Sequence, residues 1–128
     1  MGFDDVSTEM KISDAMFSAD MAWWEMELPS GAVFFHPNKA AMLGYSPDKF
    51  VHYTNFTDLL HPDDYDKAMD AMRDHMTGKS AIYETKYRIK HADGTFKTFY
   101  DKGKIVQKRG EEIRIAGMVF NLESMVQL

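Results

Sequence analysis

The sequence predicts an α+β domain: a five-stranded antiparallel sheet, with helices grouped between its second and third strands and a flanking helix ahead of it. Three observations carry that prediction. From Ala81 to Phe120 the chain reads as three strands joined by tight turns, with Asp93-Gly94 and Arg109-Gly110 supplying the positive φ that a short hairpin needs. Upstream, Met21 to Leu28 and Ala32 to Phe35 flank a Pro29-Ser30-Gly31 turn and form an amino-terminal hairpin. Between these blocks the apolar period changes from two to three and four, and Pro and Gly fall where helices start and stop.

Composition narrows the function classes. The chain has 128 residues, which suits one domain with its own core. Its net charge of −5 argues against nucleic acid and anionic membrane as partners. No apolar run approaches the length of a membrane span and no signal peptide opens the chain, so a cytoplasmic domain without membrane contact is expected. The absence of Cys excludes disulfides, Cys-ligated zinc, iron–sulfur clusters and thiol chemistry. The 11 Met residues suit an adaptable core.

Residues 1–20 read as the flanking helix, with Ser7 as cap and Val6, Met10 and Phe17 on one face. In the first strand Trp24, Met26 and Leu28 share a side, opposite Trp23, Glu25 and Glu27; in the second, Val33 and Phe35 share a side. His36-Pro37-Asn38 opens a short helix through Leu43, ended by Gly44 in the left-handed region. A second helix starts at Pro47 after the cap Ser46, with Tyr45 against Phe50 as a hydrophobic staple. Asn55 to Leu60 adds a further turn or two and buries Phe56, Leu59 and Leu60. The longest helix runs from Pro62 to about His75, with Asp63 as cap, Tyr65, Ala68, Met69, Met72 and Met76 on the buried face, and His75 exposed near its end.

In the three-strand block, Tyr83, Thr85, Tyr87 and Ile89 alternate with Glu84, Lys86, Arg88 and Lys90, so the first set and Val119 should face the helices. Met118 and Phe120 then face out with Trp23, and this second apolar face needs cover by residues 1–20, a second subunit, or both. The sides taken by Phe99 and Tyr100 stay open, because one bulge exchanges them. After Phe120, Leu122, Met125 and Val126 have helical spacing and begin a linker over 123–128.

No catalytic motif appears: there is no Gly-x-Ser-x-Gly, phosphate loop or dinucleotide fingerprint, so the domain itself is not expected to be an enzyme. The cluster His61, Asp63, Asp64 and Asp66 reads as an acid-rich helix start rather than a metal site, since it lacks two ligands spaced on one helix face. Aromatic side chains between sheet and helices either fill a core or line a mostly apolar pocket.

Several segments together resemble the PAS family of sensory domains, in its subgroup with a Trp-rich first strand. They are Trp24-Glu25-Met26-Glu27, Met42-Leu43-Gly44-Tyr45-Ser46-Pro47, Leu60-His61-Pro62-Asp63-Asp64, Tyr83 to Arg88 with Asp93-Gly94, and Gly117, in order across residues 21–122. The resemblance implies a PAS fold enclosing a small apolar or amphipathic ligand. The strands would contribute Trp24, Met26, Phe35, Tyr87, Ile89, Phe99 and Val119; the helical segments would contribute Leu43, Phe56, Leu60, Met69 and Met72. It also implies a sensor in a larger signalling protein such as a two-component histidine kinase, with a homodimer through the flanking helix and the outer face of Trp23, Met118 and Phe120. The alternatives are a filled-core PAS module for dimerisation and transmission, a haem-based sensor using a histidine such as His75, and a small enzyme with an enclosed apolar site. Members with a flavin photoadduct or covalent chromophore use a Cys, which is absent, and haem is disfavoured because Asp66, Lys67 and Ala68 stand where haem-binding members place their His. The chain also departs from the pattern at His36 (usually Asn), at Met26 (commonly Trp) and at Asn121-Leu122-Glu123 (typically Asp-Ile-Thr).

Overall fold

The computed structural model describes residues 20–125, together with Lys11, Ile12, Ala15, Met16 and Ser18. Those five earlier residues are helical and Met16 is buried. Ser7, Val6, Met10 and Phe17 of the expected flanking helix, and residues 126–128 of the expected linker, lie outside the described residues.

Five antiparallel strands form one sheet in the order β2-β1-β5-β4-β3. They are β1 (Met21–Leu28), β2 (Val33–Phe35), β3 (Tyr83–Lys90), β4 (Phe96–Arg109) and β5 (Glu112–Asn121). Between β2 and β3 come α1 (Asn38–Ala41), a turn of 3₁₀ helix at Pro47–Lys49, α2 (Tyr53–Thr57) and α3 (Pro62–Met76); α4 (Leu122–Met125) follows β5. The α+β architecture with helices between the second and third strands is therefore the one expected.

Alternation decides the faces. Tyr83, Thr85, Tyr87 and Ile89 are buried, as is Val119, while Glu84, Lys86 and Lys90 are exposed. Opposite β3, Tyr87 pairs with Phe99 and Thr85 with Asp101, so Phe99 and Asp101 point the same way. The register shift in β4 lies between Ile105 and Gln107, beyond Phe99 and Tyr100. That settles their sides: Phe99 is fully buried, and the Tyr100 hydroxyl donates to Glu84 on the outer face. The outer face is half-buried and apolar around Trp23, Met118 and Phe120, with Tyr100 against Phe120 at 6.0 Å between rings. Farther along, Arg114 pairs with Glu25 and Glu27 at 3.3 and 2.9 Å.

Trp24 occupies the centre of the inner face, opposite Gly117 on β5. Gly117 pairs in turn with Gly103 on β4. A Cβ at either glycine would collide with the Trp24 ring and with a neighbouring backbone carbonyl. Two adjacent strands thus give up side chains so that one indole can lie on the sheet.

Helix starts differ in detail from the expected ones. α2 begins at Tyr53, two residues before Asn55, because His52 caps it: the His52 ring accepts from the Thr54 N–H at 3.2 Å, and Asn55 Oδ1 accepts from the His52 N–H at 2.9 Å. Leu59 and Leu60 lie past its end and are half-buried. At α3 the cap is His61, whose Nδ1 accepts from the Asp63 N–H at 3.1 Å, and not Asp63 itself. Ser46 precedes the 3₁₀ turn without a side-chain capping bond. The contact of Tyr45 with Phe50 forms as expected, edge-on at 5.8 Å. Gly44 takes φ +79°, where a side chain would be strained.

The phase of α3 also differs. Tyr65 is exposed and His75 is buried, the reverse of the expectation. The face toward the sheet carries Asp64, Ala68 and His75, turned by about one residue from the apolar stripe. Two polar anchors set it. Asp64 accepts from Arg88 Nε and Nη2, both at 2.9 Å, and from the Arg88 backbone N–H at 2.8 Å. Arg88 is therefore a docking residue rather than only part of a solvated strand face. At the other end, the His75 ring bonds Ser80 O at 3.0 Å through Nδ1 and accepts from the Ile105 N–H at 2.9 Å through Nε2.

Candidate functional site: a cleft under the long helix

A cleft of about 580 Å³ lies between the inner face of the sheet and α3, within the size range of small-molecule sites. Apolar side chains dominate it: Met26, Leu28 and Val33 from the hairpin, Phe56 and Leu60 from the helical connection, and Met69, Met72 and Met76 from α3. Four of these are methionines, whose unbranched thioethers adapt to irregular shapes.

Its floor is polar and buried. Asp101 accepts from Trp24 Nε1 at 2.5 Å and from the Tyr87 hydroxyl at 2.9 Å, using both carboxylate oxygens. Lys39, on α1, is 8% exposed, yet its Nζ stands 3.9 Å from the centre of the Phe56 ring and 5.5 Å from that of Trp24. Among the described residues no carboxylate forms an ion pair with Lys39. Tyr83 packs edge-on against the same Trp24 ring at 5.9 Å. Trp24 is thus shared by the ammonium, a phenol and the carboxylate.

Burial perturbs each of these groups. It lowers the Lys39 pKa to about 8, with the negative charge of Asp101 partly opposing. It raises that of Asp101, against the pull of Lys39 and of the Tyr87 and Trp24 donors. Tyr83 and Tyr87 are held well above the ordinary phenol value, first by burial and then by the Asp101 charge. Both phenols are therefore neutral donors.

Eight of the twelve residues expected around a pocket line the cleft: Trp24, Met26, Phe56, Leu60, Met69, Met72, Tyr87 and Ile89. Phe35, Leu43, Phe99 and Val119 do not. Phe35 packs edge-on against Phe50 and Phe56, and the other three are fully enclosed in the core. Strand alternation identifies a face but not the depth of a residue within it. Lys39, Tyr83 and Asp101 were not among the expected twelve. Asp101 follows Phe99 by two residues on one strand, so its side becomes readable only once the register fixes Phe99 as inward. Lys39 carries no signal, since a lysine in a short helix ordinarily faces water.

The five histidines have structural roles. His36, His52, His61 and His91 each accept a backbone N–H two residues ahead through Nδ1. Both ring nitrogens of His75 are engaged in protein bonds, which removes it as a haem ligand in this geometry. No group of three metal-ligating side chains occurs among the described residues, and no described helix is long and apolar enough to cross a membrane.

Comparison with known proteins places the architecture. Residues 32–119 match the family model described as the PAS fold. Among solved structures, the chain is similar to a sensory box histidine kinase/response regulator from Burkholderia thailandensis E264, at TM-score 0.73 and 21% identity, covering 91% of this chain and 88% of that one. It is also similar to the N-terminal domain of a diguanylate cyclase with PAS/PAC sensor from Marinobacter aquaeolei, at TM-score 0.72 and 19% identity, covering 83% and 98%. A third is the domain of a putative light and redox sensing histidine kinase from Haloarcula marismortui, at TM-score 0.70 and 18% identity, covering 88% and 97%. No curated protein matches the chain.

Proposed function

The chain belongs to the PAS family, and from that premise we propose that it is a non-catalytic sensory module of a multidomain signalling protein. It binds a small ligand in the cleft under α3 and relays occupancy through the segments that flank the sheet. The cleft carries this reading: an apolar space of about 580 Å³ with a charged, buried floor is costly to maintain in a core that serves only to pack. The structural neighbours include domains of a histidine kinase and of a diguanylate cyclase, which makes an attached kinase or cyclase the natural output.

The relay has a short path. Trp24 faces the cleft three residues from the start of β1, where Met21 pairs with Phe120. The Asn121 N–H donates to the Asp20 carbonyl at 3.0 Å, so the entry and exit segments meet at one point. Asn121 Oδ1 then accepts from the Glu123 N–H at 3.2 Å at the start of α4. An Asp at this position would offer the same acceptor, so Asn121 preserves the bond between sheet and exit helix. Dimerisation through the flanking helix and the apolar patch of Trp23, Met118 and Phe120 would place this junction beside its copy.

Native mass spectrometry and an absorption spectrum of freshly purified protein test both parts. The expected result is a dimer carrying a small-molecule mass without a Soret band, and a monomer for Trp23→Glu. A Soret band would make the domain a haem sensor. Protein without any bound mass, unresponsive to small-molecule extracts, would leave only the dimerisation module. An unchanged dimer in Trp23→Glu would exclude that face.

A further inference from the structure

Resting on the ligand-binding reading, the cleft also identifies what kind of molecule it takes. We propose that its ligand is an amphipathic monoanion, an aliphatic carboxylate whose head group pairs with Lys39 Nζ and the Tyr83 hydroxyl while its tail lies along Met69, Met72 and Met76.

The floor carries two charged side chains, Asp101 and Lys39. Asp101 is satisfied: each carboxylate oxygen has a donor, the Trp24 indole on one and the Tyr87 hydroxyl on the other. Lys39 is not. The residue is 8% exposed and borders the cleft, and its ammonium meets aromatic faces but no hydrogen-bond acceptor among the described residues. A cation over rings gains part of what water gave it, but rings accept no hydrogen bonds of ordinary strength, so three N–H donors remain for a ligand. The Tyr83 hydroxyl likewise makes no hydrogen bond within the described residues, although the residue is 6% exposed and borders the cleft.

Lys39 and Tyr83 both pack against the Trp24 ring, and both feel the charge of Asp101, so the two side chains converge on one part of the cleft floor. Two donors, one of them cationic, fit a carboxylate with one oxygen for each. The rest of the wall fits a chain without polar groups. The Met69-Met72-Met76 stripe runs along α3 with i, i+3 and i+7 spacing, and Leu60 and Ile89 border the same cleft. A neutral alkyl ligand would leave Lys39 desolvated and unpaired. A cationic one would meet like charge there and find the Asp101 oxygens already taken.

Decanoate, 1-decanol and decylamine, matched in chain length, separate the outcomes by isothermal titration. Wild type should bind decanoate one to one and at least about tenfold more tightly than decanol, since a charged hydrogen bond is worth about that or more. Lys39→Met, which keeps the stem and removes the charge, should lose that preference and still bind decanol. Tyr83→Phe should weaken decanoate alone, by severalfold. Thermal unfolding of each variant establishes that it is folded, and Tyr83→Phe serves if Lys39→Met is not. Equal affinity for decanoate and decanol, tightest binding of decylamine, or decanoate binding unchanged in both variants would overturn the carboxylate assignment while leaving a ligand cleft. Binding of none of the three would overturn the assignment and count against the ligand-binding reading itself.

Discussion

Lys39 is held between two opposed effects. Burial favours its neutral amine, and the negative charge of Asp101 favours the ammonium; burial is the larger, and the pKa falls to about 8. A lysine titrates near 10.4 in an unfolded chain. Between about pH 8 and 10 the unfolded chain therefore binds the extra proton, and stability should rise with pH across that window. The groups sharing the cleft are Asp101, Tyr83 and Tyr87, with Glu25, Asp66, Asp70 and Arg73 among its lining residues. The raised phenols stay protonated there. Urea unfolding at pH 7.5 and 9.5 should show wild type gaining stability relative to Lys39→Met; a constant difference would mean that Lys39 is not desolvated. Nothing in the sequence discloses this residue, because its burial comes from Phe56 and Trp24, 17 residues after it and 15 before it. Trp24 itself was legible, as an inward residue on a period-two strand.

At the scale of elements, α3 shows where local pattern stops being enough. Its limits were readable from Pro62 and the acidic first turn, and they fall within a residue of expectation. Its phase was not, because an apolar stripe cannot anticipate a buried carboxylate whose partner, Arg88, lies 24 residues away in the chain. Asp64 accepts three bonds from that residue, and its carboxyl is held well below the usual range, first by the Arg88 hydrogen bond. Its contribution is present above the unfolded pKa of roughly 3.9 and is lost as pH falls toward the lower folded value. Asp64→Asn should destabilise the protein by roughly 1–3 kcal/mol at pH 7. Its deficit in urea midpoint should shrink as the pH drops below about 4. A deficit independent of pH would locate its origin elsewhere. The displaced residues follow from the same rotation: Tyr65 moves out to the rim of the cleft, and His75 turns in to hold Ser80 and Ile105.

For the whole molecule, the sheet was the most legible part. Tyr83, Thr85, Tyr87 and Ile89 face inward as their alternation requires, and Gly117 clears the space that Trp24 fills. What alternation leaves open is whether the space above such a face is filled. Phe99, Leu43 and Val119 close one part of it completely, while the methionines of α3 stand back over another. This second part is where we propose that a small molecule is sensed, and the two tryptophans provide an internal comparison. Trp24 lies on the cleft floor with its indole N–H on Asp101, and Trp23 faces the opposite side of the sheet. Nitrogen-15 correlation spectra taken during titration with decanoate and with decanol should move the Trp24 indole resonance saturably and leave that of Trp23 in place. A stationary Trp24 resonance with both ligands, or a response confined to Trp23, would contradict the account.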